Sequence, residues 1–262
     1  MMFFQRQRIE IKTPGEIDAM RAAGLVVARA LAEVSQIAAN GVTTAELDEC
    51  AADVIAEAGA LPSFLGYHGF PAHICTSINS EVVHGIPGPR VLRDGDVVSV
   101  DCGAIIDGWH GDAAVTIAIG TIDPAIERLS EVTEGALWAG LAAARPDGRL
   151  SDIGHAVQTH VEAAGDFGIV EDYVGHGIGS SMHMDPPVPN YGRPGRGPRL
   201  VAGMALAVEP MVTLGAPMVH TLDDDWTVVT DDGSVAAHWE HTVAITDSGP
   251  WVLTSLEDIR LP

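Results

Sequence analysis

Asp101 closes the run Val97-Val98-Ser99-Val100, and an ionised carboxylate inside an apolar strand demands a compensating partner. The same conflict recurs downstream. Glu209 ends Ala205-Leu206-Ala207-Val208 and precedes Pro210, while Glu240 stands between Trp239 and His241, just ahead of Thr242-Val243-Ala244-Ile245. Asp112 follows an expected turn, and His176 sits in the frame Gly175-His176-Gly177-Ile178-Gly179. A chain that buries these five must pair each carboxylate with a cationic side chain or bring them together around metal. Salt bridges to arginine stay open, although one lysine (Lys12) among 14 basic residues makes cations scarce. Four hard oxygen ligands and one nitrogen can hold two divalent cations a few ångströms apart and turn a trapped water into a nucleophile.

The helical signals come in two sets. Thr13-Pro14-Gly15-Glu16 is a capping box with proline at the first helical position, and Ile17, Met20, Leu25, Val27, Leu31 and Val34 keep roughly helical spacing as far as Asn40-Gly41. Thr43 to Glu46 opens a second helix through Leu47, Val54 and Ile55 that ends near Gly59. A Gly- and aromatic-rich loop over 64–70 leads to a strand near Ile74, and 97–105 and 115–119 read as strands flanking an Asp107-Gly108 turn. The plan then recurs. Asp123-Pro124 opens a helix through Leu129, Val132 and Leu137, Asp147-Gly148 breaks it, and Ser151 caps another that ends near Gly165. These signals predict one α/β (α+β) domain over 1–262, built from pseudo-repeat halves of about 14–120 and 121–254 behind a short tail, 1–12. Two of the five candidates fall in the first half and three in the second, as a site between duplicated halves requires.

With Asp107 and Gly108 as central turn residues, Asp112 faces Gly103, which shares a strand face with Asp101. The two aspartates become diagonal neighbours within reach of one cation. Two more histidines have chemical settings: His84 in Glu81-Val82-Val83-His84-Gly85-Ile86-Pro87, and His183 in Met182-His183-Met184-Asp185-Pro186. A neutral imidazole beside an activated water can donate to a developing oxyanion or pass a proton. His155 and His160, five apart on an expected helix, read as surface residues, and His110 and His241 as facing away from the ligand side of their strands.

Composition narrows the function classes. A net charge of −22 repels phosphate backbones, so free nucleic acid is excluded as a direct partner. Three widely spaced cysteines, Cys50, Cys75 and Cys102, read as reduced thiols of a cytoplasmic protein. The first residues, Met-Met-Phe-Phe-Gln-Arg-Gln-Arg, lack the apolar core of a signal peptide, and no run reaches the length of a membrane span.

Seven stretches together carry a family resemblance. They are Leu65-Gly66-Tyr67-His68-Gly69-Phe70-Pro71, Ser77-Ile78-Asn79, His84-Gly85-Ile86-Pro87, Asp107-Gly108-Trp109-His110-Gly111-Asp112, Gly175-His176-Gly177-Ile178-Gly179, Val208-Glu209-Pro210 and Trp239-Glu240-His241-Thr242. In this order the chain resembles the methionine aminopeptidases of bacterial type I. The resemblance implies the pita-bread fold, a pseudo-twofold antiparallel sheet covered by helices. It implies two divalent metal ions (Co, Mn, Fe, Ni or Zn), one chelated by Asp101 and both bridged by Asp112 and Glu240. His176 and Glu209 would complete the shell of the other metal, and Glu209 would take the proton of the attacking water. His84 and His183 would contact the scissile peptide, and Phe64, Tyr67, Phe70, Cys75, Met182 and Trp226 would line the methionine pocket. The implied activity is hydrolytic removal of the initiator methionine from nascent proteins and peptides with a small second residue, by a cytoplasmic monomer.

The chain departs from the common family pattern at Phe70, Met182, Phe64 and Ser80, which bears on pocket detail. A Xaa-Pro peptidase of the prolidase or aminopeptidase P kind shares the same fold and ligands and is the nearest rival, and a non-catalytic binding module of that fold is another. The locally basic loop Gly192-Arg193-Pro194-Gly195-Arg196-Gly197-Pro198-Arg199 could make a transient contact with the ribosome.

Overall fold

Thr13 and Thr43 start their helices by the same reciprocal device. Each hydroxyl accepts the N–H three residues on, Glu16 at 3.4 Å and Glu46 at 3.2 Å, and each glutamate returns to the threonine N–H at 2.6 and 2.7 Å. They open α1 (Pro14–Ile37) and α2 (Thr44–Glu57). The structure is a computed structural model that describes residues 9–262, so 1–8 of the expected tail lie outside the described residues.

The first helix pair leads into β1 (Leu61–Pro62), β2 (Ile74–Ile78), β3 (Glu81–Val83) and the long hairpin β4 (Val97–Ile106) and β5 (Trp109–Ala118). A second pair, α3 (Pro124–Ala143) and α4 (Leu150–Ala164), leads into β6 (Gly168–Ile169), β7 (Gly175–Gly177), β8 (Met184–Val188) and β9 (Ala205–Val208). Then come β10 (Met211–Thr213), β11 (Val219–Thr221), β12 (Val228–Thr230), β13 (Ala236–His238), β14 (Glu240–Thr246) and β15 (Gly249–Val252). Asp123 caps α3 through the N–H of Ala125, as its Asp-Pro signal predicts.

Two expectations are corrected. α4 begins at Leu150 with Arg149 as its cap residue, because Asp152 accepts the Arg149 N–H at 2.7 Å. The Ser151 hydroxyl is instead taken by the N–H of Arg196 at 2.8 Å. β5 also starts at Trp109, well before Val115, because its whole length pairs with β4 from Ile106↔Trp109 to Val97↔Ala118.

One nine-stranded antiparallel sheet joins the two parts, in the order β1-β4-β5-β14-β9-β7-β8, with β2 also on β4 and β15 also on β14. The junction is the pair β5 and β14, aligned at Ala114↔Glu240 and Ala113↔His241. One core lies where α1 and α2 cover the β4–β5 side, built from residues such as Val27, Leu31, Leu47, Ile55, Val98 and Val100. A second lies under α3 and α4, with Leu137, Leu141, Ile153, Leu206, Val208 and Val243.

The helix α1 sits unusually close to the sheet. A Cβ on Gly24 would lie 2.2 Å from the Leu253 carbonyl oxygen, and one on Gly111 would lie 2.7 Å from the Gly24 nitrogen. That contact sets the height of β5 one residue before Asp112. Gly24→Ala is therefore expected to cost about 2–3 kcal/mol in urea unfolding, an overpacking penalty against rigid backbone. Gly15→Ala, with nothing within 4 Å, should be neutral or slightly stabilising.

Candidate metal centre

Strand register alone puts the five candidates on one face. Gly103 pairs with Asp112 and Asp101 with Ala114, as the hairpin parity predicts. Ala114 in turn pairs with Glu240, so Asp101, Ala114 and Glu240 form a row across three strands, with one methyl group between two carboxylates. On the next strands Thr242 pairs with Ala207 and Ala207 with His176. Glu209 follows two residues after Ala207, on the same side as His176. Parity also corrects the expectation for His110: it pairs with Ile105, two residues before Asp112, and so shares the ligand face, where its Nδ1 meets the Ser63 hydroxyl at 3.0 Å. His241 does lie on the other face, with Nδ1 2.9 Å from Thr254 Oγ1.

Asp112, His176 and Glu240 each offer a ligand atom, and the three atoms lie within 4.8 Å of one another. His176 Nε2 is 3.5 Å from Glu209 Oε1. The tautomer follows from the partner: His176 Nδ1 lies 3.0 Å from the Gly177 carbonyl, which only accepts, so Nδ1 carries the proton and Nε2 presents its lone pair. The flanking glycines act through neighbouring backbone. A Cβ at Gly175 would meet the Ala207 carbonyl oxygen at 2.3 Å, and one at Gly177 the Asp185 oxygen at 2.2 Å.

The electrostatics of this face are unfavourable without a cation. Burial raises the Asp101 carboxyl to about 7. Burial and mutual repulsion hold Asp112, Glu209 and Glu240 well above the usual carboxylate range. Asp101 Oδ1, Asp112 Oδ1 and Glu240 Oε1 are buried with no hydrogen-bond partner. Among the described residues none of the four pairs with lysine or arginine; Lys12, Arg90, Arg128, Arg199 and Arg260 pair with other acids. Among the described residues the arginine alternative therefore fails, and the donor set fits divalent metal: hard oxygens without a cationic partner there and one neutral imidazole, lowered to about 3 by burial.

The five floor a cavity of ≈ 320 Å³ whose lining also includes Phe64, Tyr67, Phe70, Cys75, His84, Met182, His183 and Trp226. Phe70 meets Phe64 and Trp226 edge-on, with centroids 6.4 and 5.0 Å apart. The His183 ring lies 4.2 Å from that of His176, and its Nδ1 is 3.0 Å from the Tyr67 hydroxyl. His84 adopts a left-handed backbone (φ 61°) between Tyr173 and Trp226. Burial lowers His84 to about 4 and also lowers His183, so both rings are neutral at pH 7.

Sequence reasoning passed over three neighbours. His68 lines the cavity. His238 is buried, with Nε2 3.8 Å from Glu209 Oε2 and no hydrogen-bond partner. Asn190 donates from Nδ2 to the Glu209 carbonyl at 3.0 Å. The parity that aligned Asp101 with Asp112 carries no information about His238, which comes from a strand of a different sheet.

A cluster of buried acids that fits divalent metal, set at the floor of a partly apolar pocket, defines a metal-dependent hydrolase. The pattern of metallopeptidase family M24 matches residues 18–247. The chain is 57% identical to Methionine aminopeptidase 1 of Mycobacterium tuberculosis over 95% of its own length and 96% of the relative's. It superposes on the solved methionine aminopeptidase of Thermotoga maritima with a TM-score of 0.93 and 44% identity, over 95% of this chain and all of that one. The prolidase of Pyrococcus furiosus shares the fold alone, at a TM-score of 0.73 and 22% identity over 94% of this chain and 66% of that one. The chain belongs to metallopeptidase family M24, among its methionine aminopeptidases, and its architecture is the pita-bread fold of that family. Among the described residues no helix is long and apolar enough to cross a membrane.

The raised carboxyls have a consequence for metal-free protein. A carboxyl whose folded pKa is raised contributes stability that is complete below its unfolded pKa and lost as pH rises through the folded value, about 7 for Asp101. The buried histidines act in the opposite sense, but only below their ordinary 6.5. Between pH 6.5 and about 8 the carboxyls therefore dominate. Calorimetry on chelator-treated protein should show Tm falling across that window. Asp101→Asn should flatten the fall, and added divalent cation should reverse it.

Proposed function

We propose that the protein removes N-terminal methionine from peptides and nascent chains whose second residue is small. The observation that carries this reading is the pocket itself: an acidic, metal-fitting floor opens directly onto Phe64, Phe70, Cys75, Met182 and Trp226. A thioether side chain suits such walls, since sulfur and aromatic edges attract. The identity to proteins named methionine aminopeptidase supports the same substrate.

In this reading two divalent ions, of Co, Mn, Fe, Ni or Zn, are held by Asp101, Asp112, His176, Glu209 and Glu240. Bound there, they would lower the pKa of water and polarise the scissile carbonyl. Glu209 takes a proton from the attacking water at its carboxylate, a task suited to a group that burial holds well above the usual carboxylate range. His84 and His183, neutral and on the cavity wall, contact the scissile peptide and donate to the oxyanion that develops on its carbonyl oxygen. The aromatic walls exclude bulk water and orient the methionyl side chain. The catalytic unit is a single domain spanning the chain, with halves at 14–120 and 121–254, acting as a cytoplasmic monomer. Loop 192–199 is the candidate for a transient ribosome contact, although Arg199 is occupied by Asp147 at 2.9 Å.

Metal-reconstituted protein should release methionine from Met-Ala-Ser and leave Xaa-Pro peptides intact. Cleavage of the proline peptides alone would transfer the assignment to the Xaa-Pro peptidases. Glu209→Gln should lower kcat by about a thousandfold or more while the folded protein keeps its circular dichroism. Full activity in that variant would remove Glu209 from the role of base.

A further inference from the structure

Residues 9–12, expected as part of a tail, are built into the body next to the site. Ile9 packs on the core under α3 and α4, and the Lys12 N–H donates to the Gly203 carbonyl at 2.7 Å. Lys12, the only lysine of the chain, has a side chain just 2% exposed, with Nζ 3.4 Å from Glu10 Oε1. The same Glu10 carboxylate accepts the Ser180 N–H at 3.2 Å and the Ser180 hydroxyl. Gly179 closes the contact: a Cβ there would lie 2.3 Å from both Glu10 Oε1 and Lys12 Cε. On its other side Gly179 accepts the His110 N–H at 3.0 Å.

Gly179 and Ser180 belong to the loop between β7 and β8, which closes at the pair Gly177↔Met184. That short loop also carries Met182 and His183, both on the cavity wall. Lys12 is buried while Glu10 keeps 27% of its side chain exposed, and a pair of this kind contributes little net stability. Placing the only lysine in such a pair, against the one loop that supplies both a pocket wall and a candidate oxyanion donor, is economical for geometry and poor for stability.

We propose that Glu10 and Lys12 are positioning residues: their ion pair, acting through Ser180 and Gly179, sets where the β7–β8 loop presents Met182 and His183 to the substrate. The proposal rests on the functional reading above for the roles of Met182 and His183, but the strap itself is a claim about geometry and can be tested apart from activity.

The test compares wild type with Glu10→Ala, Ser180→Ala, the double variant, Lys12→Met and Lys12→Arg, each with 13C-methyl methionine labels. Ser180 is exposed, so its variant keeps the fold even if the Glu10 change is disruptive. In metal-free protein the Met182 methyl resonance should shift in Glu10→Ala and Ser180→Ala. The resonance of Met211, fully buried in a separate core beside β3 and β12, should stay in place. In metal-loaded protein kcat on Met-Ala-Ser should fall about tenfold with a smaller change in KM, since displacing a reacting group by a fraction of an ångström acts on the transition state. The double variant should be no worse than Glu10→Ala alone, and Lys12→Arg should retain more kcat than Lys12→Met.

A Met182 resonance that does not move, or one that moves together with Met211, overturns the strap. So does additivity of the two single changes. If Met182 alone shifts while wild-type protein releases no methionine, the strap stands and the functional reading falls.

Discussion

Four carboxylates held in one buried patch repel one another, and burial makes each reluctant to ionise. Most of the architecture is arranged around that conflict. The nine-stranded sheet aligns its central strands so that the acids fall on a single face, and the helix pairs on its other side seal the apolar residues that alternate with them. A set of groups so disfavoured as neighbours has a physical rationale only if cations complete it. The same burial that costs the metal-free protein stability holds Glu209 well above the usual carboxylate range.

Small residues make the patch possible. Gly103 faces Asp112, Ala114 separates Asp101 from Glu240, and Ala207 lies beside His176. Larger side chains in these cross-strand positions would fill the volume between the ligands. The Thr242 hydroxyl, which donates to the Asp112 carbonyl at 2.8 Å and accepts the Asp112 N–H at 3.1 Å, ties β5 to β14 at the point where the two halves meet. Packing, hydrogen bonding and ligand geometry thus converge on the same few residues of β5, β14 and β9. The substrate pocket is then a matter of which loops cover the face, and the aromatic 64–70 segment, His84 and the β7–β8 loop all arrive from sequence-distant places.

Much of this was legible in the chain before any coordinates. Both capping boxes, the Asp123 cap and the hairpin register follow from local rules that depend on residues only a few positions apart. The five candidate residues could be singled out because each is an anomaly, a charge or imidazole where an apolar or Gly-rich segment leads one to expect none. The errors are equally local in origin. Ser151 is a plausible cap residue by type, yet Asp152 one position later and the backbone of Arg196 decide the outcome. His110 obeys the same alternation as Asp112 two residues on, so it shares the ligand-side face and not the opposite one.

What the sequence by itself determined is the set of elements, the phase of each strand and the identity of the metal-fitting side chains, because those depend on short-range periodicity and on the chemistry of single residues. Only the tertiary structure decided that β5 and β14 are neighbours, that His238 and Asn190 flank Glu209, and that Lys12 and Glu10 hold the loop bearing His183. Those facts are pairings across 19 to 170 positions of chain. No local rule encodes such a pairing; it emerges when the buried faces of separate elements must share one core and one set of charges.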